Sequence, residues 1–188
     1  MEEIFKFLSK IRPMSPECVA YLEKVIKFKK LRKKDILLKV GEVNDCLFFI
    51  AKGSLKCYYY HNGLEVCDWF FFETDTVVAI ASFYLQLPSD SVIEAMGDTE
   101  VFYITKADYD YLKWHYHDFC YIACDRLEKY LVDIHSHGKF IRKQSPVESY
   151  HLVLAQRPKL VNSVTVKDLA SWLNMDPSTL SRARSEGV

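Results

Sequence analysis

The residue pattern changes once along the chain, near Thr105, and this change limits the folds that the chain can adopt. Before it, short runs rich in β-branched and aromatic residues alternate with turn signals, which is typical of a sandwich or a barrel. Asn62-Gly63 separates two of these runs and predicts a two-residue type I′ hairpin. The seven predicted strands are 36–40, 46–51, 55–60, 66–72, 76–80, 92–96 and 100–105.

After Lys106 the pattern is helical. Between 118 and 140, apolar residues recur at spacings of three and four, which predicts one long amphipathic helix. A narrow apolar stripe on a long helix is typical either of a core helix or of a seam between two helices. The stripe consists of Phe119, Ile122, Ala123, Leu127, Tyr130, Leu131 and Ile134.

Serine followed by proline marks two further helix starts. Ser15 and Pro16 have the residue types of an N-cap and a first helical position near the N-terminus. Ser145 and Pro146 predict a second such start, with Glu148 as the capping-box acid and an end near 156.

Charge and cysteine content narrow the class of protein. The net charge is zero over 188 residues, but residues 139–188 carry eight Lys or Arg and four acids, so positive charge is available locally. No apolar run is long enough to cross a bilayer, and the N-terminus lacks the apolar segment of a secretory signal, so we expect a cytoplasmic protein. The six cysteines lack C-x-x-C spacing and are interpreted as reduced packing residues.

Residues 164–184 have the pattern of two short helices that meet at a tight turn. Thr165 can cap the first helix, and Ala170 is small where the two helices must cross. Asn174 tolerates the left-handed conformation that a sharp helix stop requires. Asp176 and Pro177 suit the N-cap and first position of the second helix. This register predicts a helix-turn-helix.

The outward positions of this pair suit nucleic acid. Arginine makes paired hydrogen bonds to guanine or binds phosphate, and serine and threonine contact bases or phosphates at close range. A helical hairpin packed elsewhere is the alternative. The basic run 24–39 is interpreted as solvated surface before the first strand, with a second DNA-contacting patch as the other interpretation. The predicted DNA contacts are Thr165, Lys167, Ser178, Thr179, Ser181, Arg182 and Arg184.

Motifs at both ends of the chain resemble the Crp/Fnr family of transcription regulators, and the resemblance covers nearly the whole chain. Gly41-Glu42 followed by 47–55 is similar to the family's strand-turn-strand signature, in which Gly41 and Gly53 occupy turns that need positive φ. The C-terminal blocks that are similar to a short subgroup of the family are 148–158, 169–173 and 177–184.

The resemblance implies an α+β protein with an N-terminal double-stranded β-helix (the β-roll), a long dimerisation helix and a C-terminal helix-turn-helix domain. The implied domains are 1–115, 116–143 and 144–188. The resemblance also implies a bacterial, cytoplasmic homodimer that binds a roughly palindromic DNA operator. The apolar stripe would then be the seam between the two chains. RNA polymerase is a further candidate partner.

The sequence departs from family members that bind a cyclic nucleotide. Those members use Gly-Glu for the ribose and an arginine for the cyclic phosphate, whereas this chain has Ala79-Ile80 at the first position. The later part, 88–92, contains Asp90 and no arginine, so cyclic AMP is predicted not to be the effector. The residues of this region fit a pocket for a small uncharged or apolar ligand as well as they fit a closed core without a pocket. The expected effector-pocket residues are Val78, Ala79, Ile80, Ser82, Tyr84, Ser89 and Ser91.

Two functions of other classes are alternatives. A cupin-like metal-dependent enzyme has a similar barrel, but it needs several histidines and a carboxylate inside it, and the barrel segment has a single histidine, His61. The second alternative function is a partner-binding module with vestigial DNA binding. The chain is therefore predicted to be a non-enzyme without catalytic residues, cofactor or metal.

Three pairs of side chains, one of cysteines and two of histidines, have residue types that can sense a metal or a redox change. Cys120 and Cys124 lie four apart and share a helix face, where packing is expected and a thiol or metal sensor is the alternative. The histidine pairs at 115 and 117 and at 135 and 137 face opposite ways on a helix, which is unfavourable for a shared metal.

Overall fold

The computed structural model describes residues 2–142 and 145–185, in which a strand-rich half is followed by a helical half. The strands of this part are β1 (Lys27–Leu31), β2 (Ile36–Leu38), β3 (Cys46–Lys52), β4 (Leu55–His61), β5 (Leu64–Phe71), β6 (Thr76–Val77), β7 (Ser91–Ala95) and β8 (Thr99–Thr105). The helices are α1 (Glu2–Ile11), α2 (Pro16–Val25), α3 (Ile80–Leu85), α4 (Lys106–His115), α5 (His117–Ile141), α6 (Pro146–Gln156), α7 (Pro158–Ser163), α8 (Val166–Trp172) and α9 (Pro177–Ser185).

The strands form two four-stranded sheets that share one apolar core, and the fold class predicted for this half is confirmed as a jelly-roll-like β-roll. One sheet has the order β1-β8-β3-β6 and the other β2-β7-β4-β5, with antiparallel neighbours throughout. Ile50 and Val101 of the first sheet and Leu55 and Ile93 of the second are fully buried in that core. The hydrophobic effect therefore holds the two sheets together.

The β4–β5 hairpin has the turn that its sequence predicts. Asn62 and Gly63 both have positive φ, at 50° and 76°, as a type I′ turn requires, and His61 pairs with Leu64 across it. Such a turn matches the right-handed twist of the strands, so it fixes the register of β4 against β5.

The described structure differs from the sequence prediction in the strands β1 and β6 and the helix α7. The run 24–39 was interpreted as surface before the first strand, but β1 lies inside it and pairs with β8. Its exposed lysines suit an edge strand, because charge there opposes pairing with another chain.

The predicted strand 76–80 stops at Val77, because the Asn44 side chain accepts a hydrogen bond from Ala79 N at 2.7 Å and α3 then begins. Pro158 ends α6 and also starts α7, since proline suits a first helical position.

The predicted serine caps are confirmed in position but not in hydrogen bonding. Ser15 and Ser145 precede α2 and α6, and neither hydroxyl caps its helix. The capping box expected with Glu148 is therefore wrong, and the hydroxyl of Ser149 donates instead to the carbonyls of Phe140 and Ser145. The proline at the first position of each helix is the part of the start signal that the structure uses.

The C-terminal helices continue the core of the roll. Val153, Leu160, Leu169 and Leu180 are buried in the same apolar cluster as the strands, and α8 packs on β5. The division into domains 1–115, 116–143 and 144–188 stays a prediction, and residues 143 and 144 lie outside the described part. No helix in the described part is both long and apolar enough to span a membrane.

We expect the Gly53→Ala variant to lose far more stability than the Gly41→Ala variant. Both glycines have φ near +90°, so alanine adds left-handed strain of about 1–2 kcal/mol at either site. At Gly53 a Cβ atom would also lie 2.6 Å from the Asp98 carbonyl and 2.9 Å from Thr99 Cα, whereas nothing lies within 4 Å at Gly41. Urea unfolding should show a loss of roughly 3 kcal/mol or more for Gly53→Ala and roughly 1 kcal/mol for Gly41→Ala. Equal losses would contradict the steric argument.

Candidate nucleic-acid interface and ligand cavity

Helices α8 and α9 meet at a turn whose local bonds follow the sequence pattern. The Thr165 hydroxyl accepts a hydrogen bond from Asp168 N at 3.1 Å and caps α8. Asn174 has φ 54°, the left-handed conformation expected of it. The Ser178 hydroxyl and the Ser178 amide, the latter at 2.7 Å, both donate to the Asp176 carboxylate at the start of α9 and keep the pKa of Asp176 below its ordinary value. The turn therefore fixes the angle between α8 and α9.

The expected DNA-contacting residues differ in exposure. Ser178, Ser181 and Arg182 are exposed along α9, and the Arg182 guanidinium donates to Thr179 Oγ1 at 3.4 Å. Arg184 is half-buried, with its guanidinium 5.7 Å from the centre of the Tyr150 ring. Leu180 and Ala183, on the opposite face of α9, are buried. Arg184 therefore packs within the chain, and the exposed polar surface of α9 centres on Arg182.

An ion pair and a hydrogen bond join α8 to the β-roll. The Lys56 ammonium of β4 lies 3.3 Å from the Asp168 carboxylate, and both side chains are largely buried. Burial disfavours the charged form of Lys56, but Asp168 and Glu94 raise its pKa above the ordinary value. Cys67 N of β5 donates to the Ser171 hydroxyl at 2.9 Å. Because a buried charge without its partner is strongly unfavourable, this pair resists separation of α8 from the roll.

A stack of three aromatic rings joins α5, α8 and β5. The His137 ring lies parallel to the Trp172 ring with centroids 4.2 Å apart, and Trp69 contacts both edge-on. His137 Nε2 donates to the Trp172 carbonyl at 2.8 Å. Burial lowers the pKa of His137, and Arg157 lowers it further, while the bond to Trp172 and the charge of Asp68 oppose them. The neutral imidazole is therefore the form that fits this stack.

Most of the expected effector-pocket residues line one cavity of about 390 Å³ in the roll, which we call the roll cavity. Of the expected set, only Tyr84 is not part of its lining. The hydroxyls of Ser82 and Ser89 are already engaged, donating to the carbonyls of Leu87 and Ser91. The expected residues that line the roll cavity are Val78, Ala79, Ile80, Ser82, Ser89 and Ser91.

The roll cavity carries negative charge. Asp68 and Asp90 line it, and its described lining contains no Lys, Arg or His. Removal from water raises the pKa of Asp68, His137 lowers it and Asp90 raises it, so the pKa lies above its ordinary value although the side chain is exposed. The charge of a bound phosphate would be repelled here and would find no bidentate partner.

The expected dimer stripe on α5 divides between two environments. Phe119, Ile122 and Ala123 are buried against the roll of their own chain, so they offer no free surface to a partner. Leu127 and Tyr130 are half-buried. The two remaining members, Leu131 and Ile134, are exposed, by 65% and 42%. The exposed apolar residues of α5 are Tyr121, Leu131, Val132, Ile134 and Ile141.

The cysteine and histidine pairs singled out in the sequence do not form metal sites in the described part of the chain. Cys120 is half-buried and Cys124 is exposed. Local loss of water around the Cys124 thiol and the neighbouring Cys120 raise the pKa of Cys124, which disfavours its thiolate. Among residues 2–142 and 145–185, no three His, Cys, Asp or Glu side chains come together as metal ligands would.

We expect a pH dependence of stability that belongs to His137. The unfolded chain takes up a proton near pH 6.5, but the folded protein resists it, so the free energy of unfolding falls as pH decreases below about 6.5 and levels off below the folded pKa. Urea unfolding between about pH 7.5 and pH 5.5 should show a smaller fall in the His137→Gln variant than in the parent protein.

The exposed His135 on the same helix supplies the control. His135→Gln should keep the pH dependence of the parent, and Asp68, which acts in the opposite sense because its pKa is raised, is common to all three proteins. An unchanged pH dependence in His137→Gln would show that the stack does not exclude the protonated imidazole.

Comparisons with known proteins place the roll in a described family of domains. Residues 28–112 match the family model described as the cyclic nucleotide-binding domain. Comparison with curated protein sequences gave no match.

Solved structures share the fold over most of the chain at low identity. FixK2 from Bradyrhizobium japonicum superposes with a TM-score of 0.74 at 15% identity, covering 86% of this chain and 84% of that one. A protein from Eubacterium rectale, described as a transcriptional regulator of the crp/fnr family, gives 0.72 at 15% identity, covering 92% and 83%. A CooA double mutant from Carboxydothermus hydrogenoformans gives 0.71 at 14% identity, covering 87% and 76%. At these identities the similarity shows the fold alone: a roll of the cyclic nucleotide-binding-domain type followed by several helices.

Proposed function

We propose that the chain is a sequence-specific DNA-binding transcription regulator of Crp/Fnr type that acts as a homodimer. The observation that carries the proposal is the α8–α9 pair, a capped helix, a left-handed Asn174 and a second helix with exposed Ser178 and Arg182. This arrangement matches the geometry in which a recognition helix enters the major groove. The similarity in fold to the Eubacterium rectale protein supports the same assignment.

The proposed DNA contacts separate into two kinds. Arg182 and Ser178 lie on α9, where side chains reach base edges or phosphates. Thr165 and Lys167 are exposed at the start of α8, where they would contact phosphate. Lys167 lies 4.0 Å from Glu65 of the roll, so phosphate would compete with this weak pair.

The dimer would use the face of α5 that points away from the roll. Tyr121, Cys124, Leu131 and Val132 lie on that face and are exposed, with Ile134 at its edge. Exposed apolar residues at near-heptad spacing favour a two-helix seam. A two-fold axis along this seam would present two α9 helices to a roughly palindromic operator. RNA polymerase as a partner, and a bacterial cytoplasm as the location, are part of the same proposal.

The roll would serve as a sensor whose signal is not cyclic AMP. Support comes from the two aspartates of the roll cavity and from the lack of any cation in its described lining. The cupin-like enzyme is not favoured, because the described lining of this cavity also holds no histidine to ligate a metal. A partner-binding module with vestigial DNA binding would not need Arg182 to be exposed beside Ser178.

We expect DNA binding to depend on α9 and not on the basic run of the roll. Operator sequences would be selected from a random DNA library with the parent protein. The Ser178→Ala, Arg182→Ala variant should then bind the selected DNA roughly tenfold to a hundredfold more weakly, because it loses base and phosphate contacts. Binding is measured by fluorescence anisotropy at one fixed salt concentration.

Lys33→Ala is the matched control, because Lys33 is exposed in the run 24–39 and its loss removes one positive charge from the roll. It should bind the selected DNA as the parent does. Parent-like affinity in the α9 variant would overturn the assignment, and so would a random library without any enriched sequence.

We expect Leu131→Asp to weaken dimerisation by about tenfold or more, because it places a charge in an apolar seam. Sedimentation equilibrium measures the association constant. Leu64→Asp is the control, since Leu64 is 71% exposed and belongs to the β4–β5 hairpin and not to α5. A parent protein that stays monomeric, or a Leu131→Asp variant that associates as the parent does, would refute the α5 seam.

A further inference from the structure

We propose that a second cavity, between α5 and the β-roll, binds an uncharged, apolar small molecule. We call it the α5 cavity. It measures about 460 Å³, within the range of small-molecule sites. Strands β3 and β8 form one wall with Phe49 and Phe102, α5 forms another with Ile122 and Leu127, and Leu160 of α7 closes one side.

Apolar groups dominate the walls of this cavity. Phe49, Phe102, Ile122 and Leu160 are themselves buried, so their side chains are fixed by the core around them. An apolar surface that is already formed and poorly hydrated favours a ligand with little polar area.

Every charged side chain in the described lining already has a partner. Arg126 donates to Asp125 and Arg157 to Asp133, while Lys129 lies 3.1 Å from Asp75 and Lys159 2.7 Å from Glu73. The charged lining residues are Asp75, Arg126, Lys129, Asp133, Arg157 and Lys159. A carboxylate or an ammonium on the ligand would lose water without gaining a free counter-charge, so an uncharged ligand is favoured.

The two cavities therefore differ in the chemistry that they admit. The roll cavity presents Asp68 and Asp90 without a cation in its described lining, and it repels anions. The α5 cavity has balanced charge at its rim and apolar walls. Val78 and Ile80 line both cavities, and Tyr84, which was expected in the effector pocket, lines only the α5 cavity.

The position of the α5 cavity would let its ligand affect the α8–α9 pair, a step that rests on the proposed function. Pro158 and Leu160 in its wall belong to α7, just before α8. Trp69 also lines the cavity and contacts Trp172 of α8, with ring centroids 6.0 Å apart. A ligand that binds one pose of these helices better than another shifts the balance between the poses.

The test compares three ligands with one tail and different head charges on the full-length chain. Decanol, decanoate and decyltrimethylammonium are titrated by calorimetry, decanol below its solubility limit and the two charged compounds below the concentrations at which they form micelles. Decanol should bind, and each charged compound should bind more than about tenfold more weakly, because its head group is desolvated without a partner. Absence of decanol binding, or equal affinity for decanol and either charged compound, would overturn the proposal.

Cavity-filling variants locate the bound decanol. Ala123→Leu adds volume inside the α5 cavity and should weaken decanol binding by about tenfold or more. Ala81→Leu adds the same volume at the roll cavity and should bind as the parent does. If Ala123→Leu does not fold, as judged by circular dichroism, Leu127→Trp tests the same cavity from a half-buried position. Loss of binding in Ala81→Leu with parent-like binding in the α5-cavity variant would refute the site.

Decanol binding is measured without DNA, and DNA selection is carried out without decanol. A protein that binds decanol but enriches no operator would retain the α5 cavity as a ligand site and refute the proposed function. A protein that enriches an operator but binds no decanol would retain the proposed function and refute the ligand site.

Discussion

The packing of Trp172 between His137 and Trp69 is the contact on which the arrangement of the whole chain depends. Trp172 is 2% exposed and belongs to α8, His137 to α5 and Trp69 to β5, so one cluster of rings joins the helix pair, the long helix and the roll. Burial of the two tryptophan rings is a substantial hydrophobic contribution, and the edge-on and stacked geometry of the three rings adds specificity. The Lys56–Asp168 pair holds α8 to β4, and the hydrogen bond between Cys67 and Ser171 holds it to β5. Any movement of the helix pair must therefore begin by loosening these rings.

Local chemistry made part of this structure predictable. Asn62-Gly63 and Asn174 sit where the backbone needs positive φ, and Thr165 bonds to an amide three residues away, so each signal lies within a few residues of its effect. Strand β1 was not predicted, because the lysines of this edge strand have the pattern of ordinary surface residues. The His137–Trp172 stack had no sequence signal, because the pairing of residues 35 apart depends on how α8 lies on the roll. The burial of Phe119 against the roll and the exposure of Leu131 likewise depend on tertiary packing, since both belong to one apolar stripe.

The two cavities differ in the charged side chains that line them. Where a cyclic nucleotide would need a cation, the described lining of the roll cavity has Asp68 and Asp90. Cations such as Arg126 and Arg157 lie instead at the α5 cavity, where Asp125 and Asp133 neutralise them. A small molecule bound in the α5 cavity would therefore still contact α5, although the side chains that line the roll cavity differ from those that a cyclic nucleotide needs. The ring of Trp69 borders both cavities, which makes it the side chain through which either one would act on α8.

The two faces of helix α5 have different surroundings, since one packs on the roll and the other is exposed. The face toward the roll carries Phe119 and Ile122 into the core, so it transmits any change in the α5 cavity. The outer face carries Leu131 and Val132 at more than 60% exposure, which a monomer would leave in water. Because both faces belong to one rigid element of 25 residues, a ligand that tilts α5 against the roll must also change the seam. Ligand binding in the α5 cavity and the geometry of the proposed dimer would therefore be coupled through α5, by the residues that already hold the helix in place.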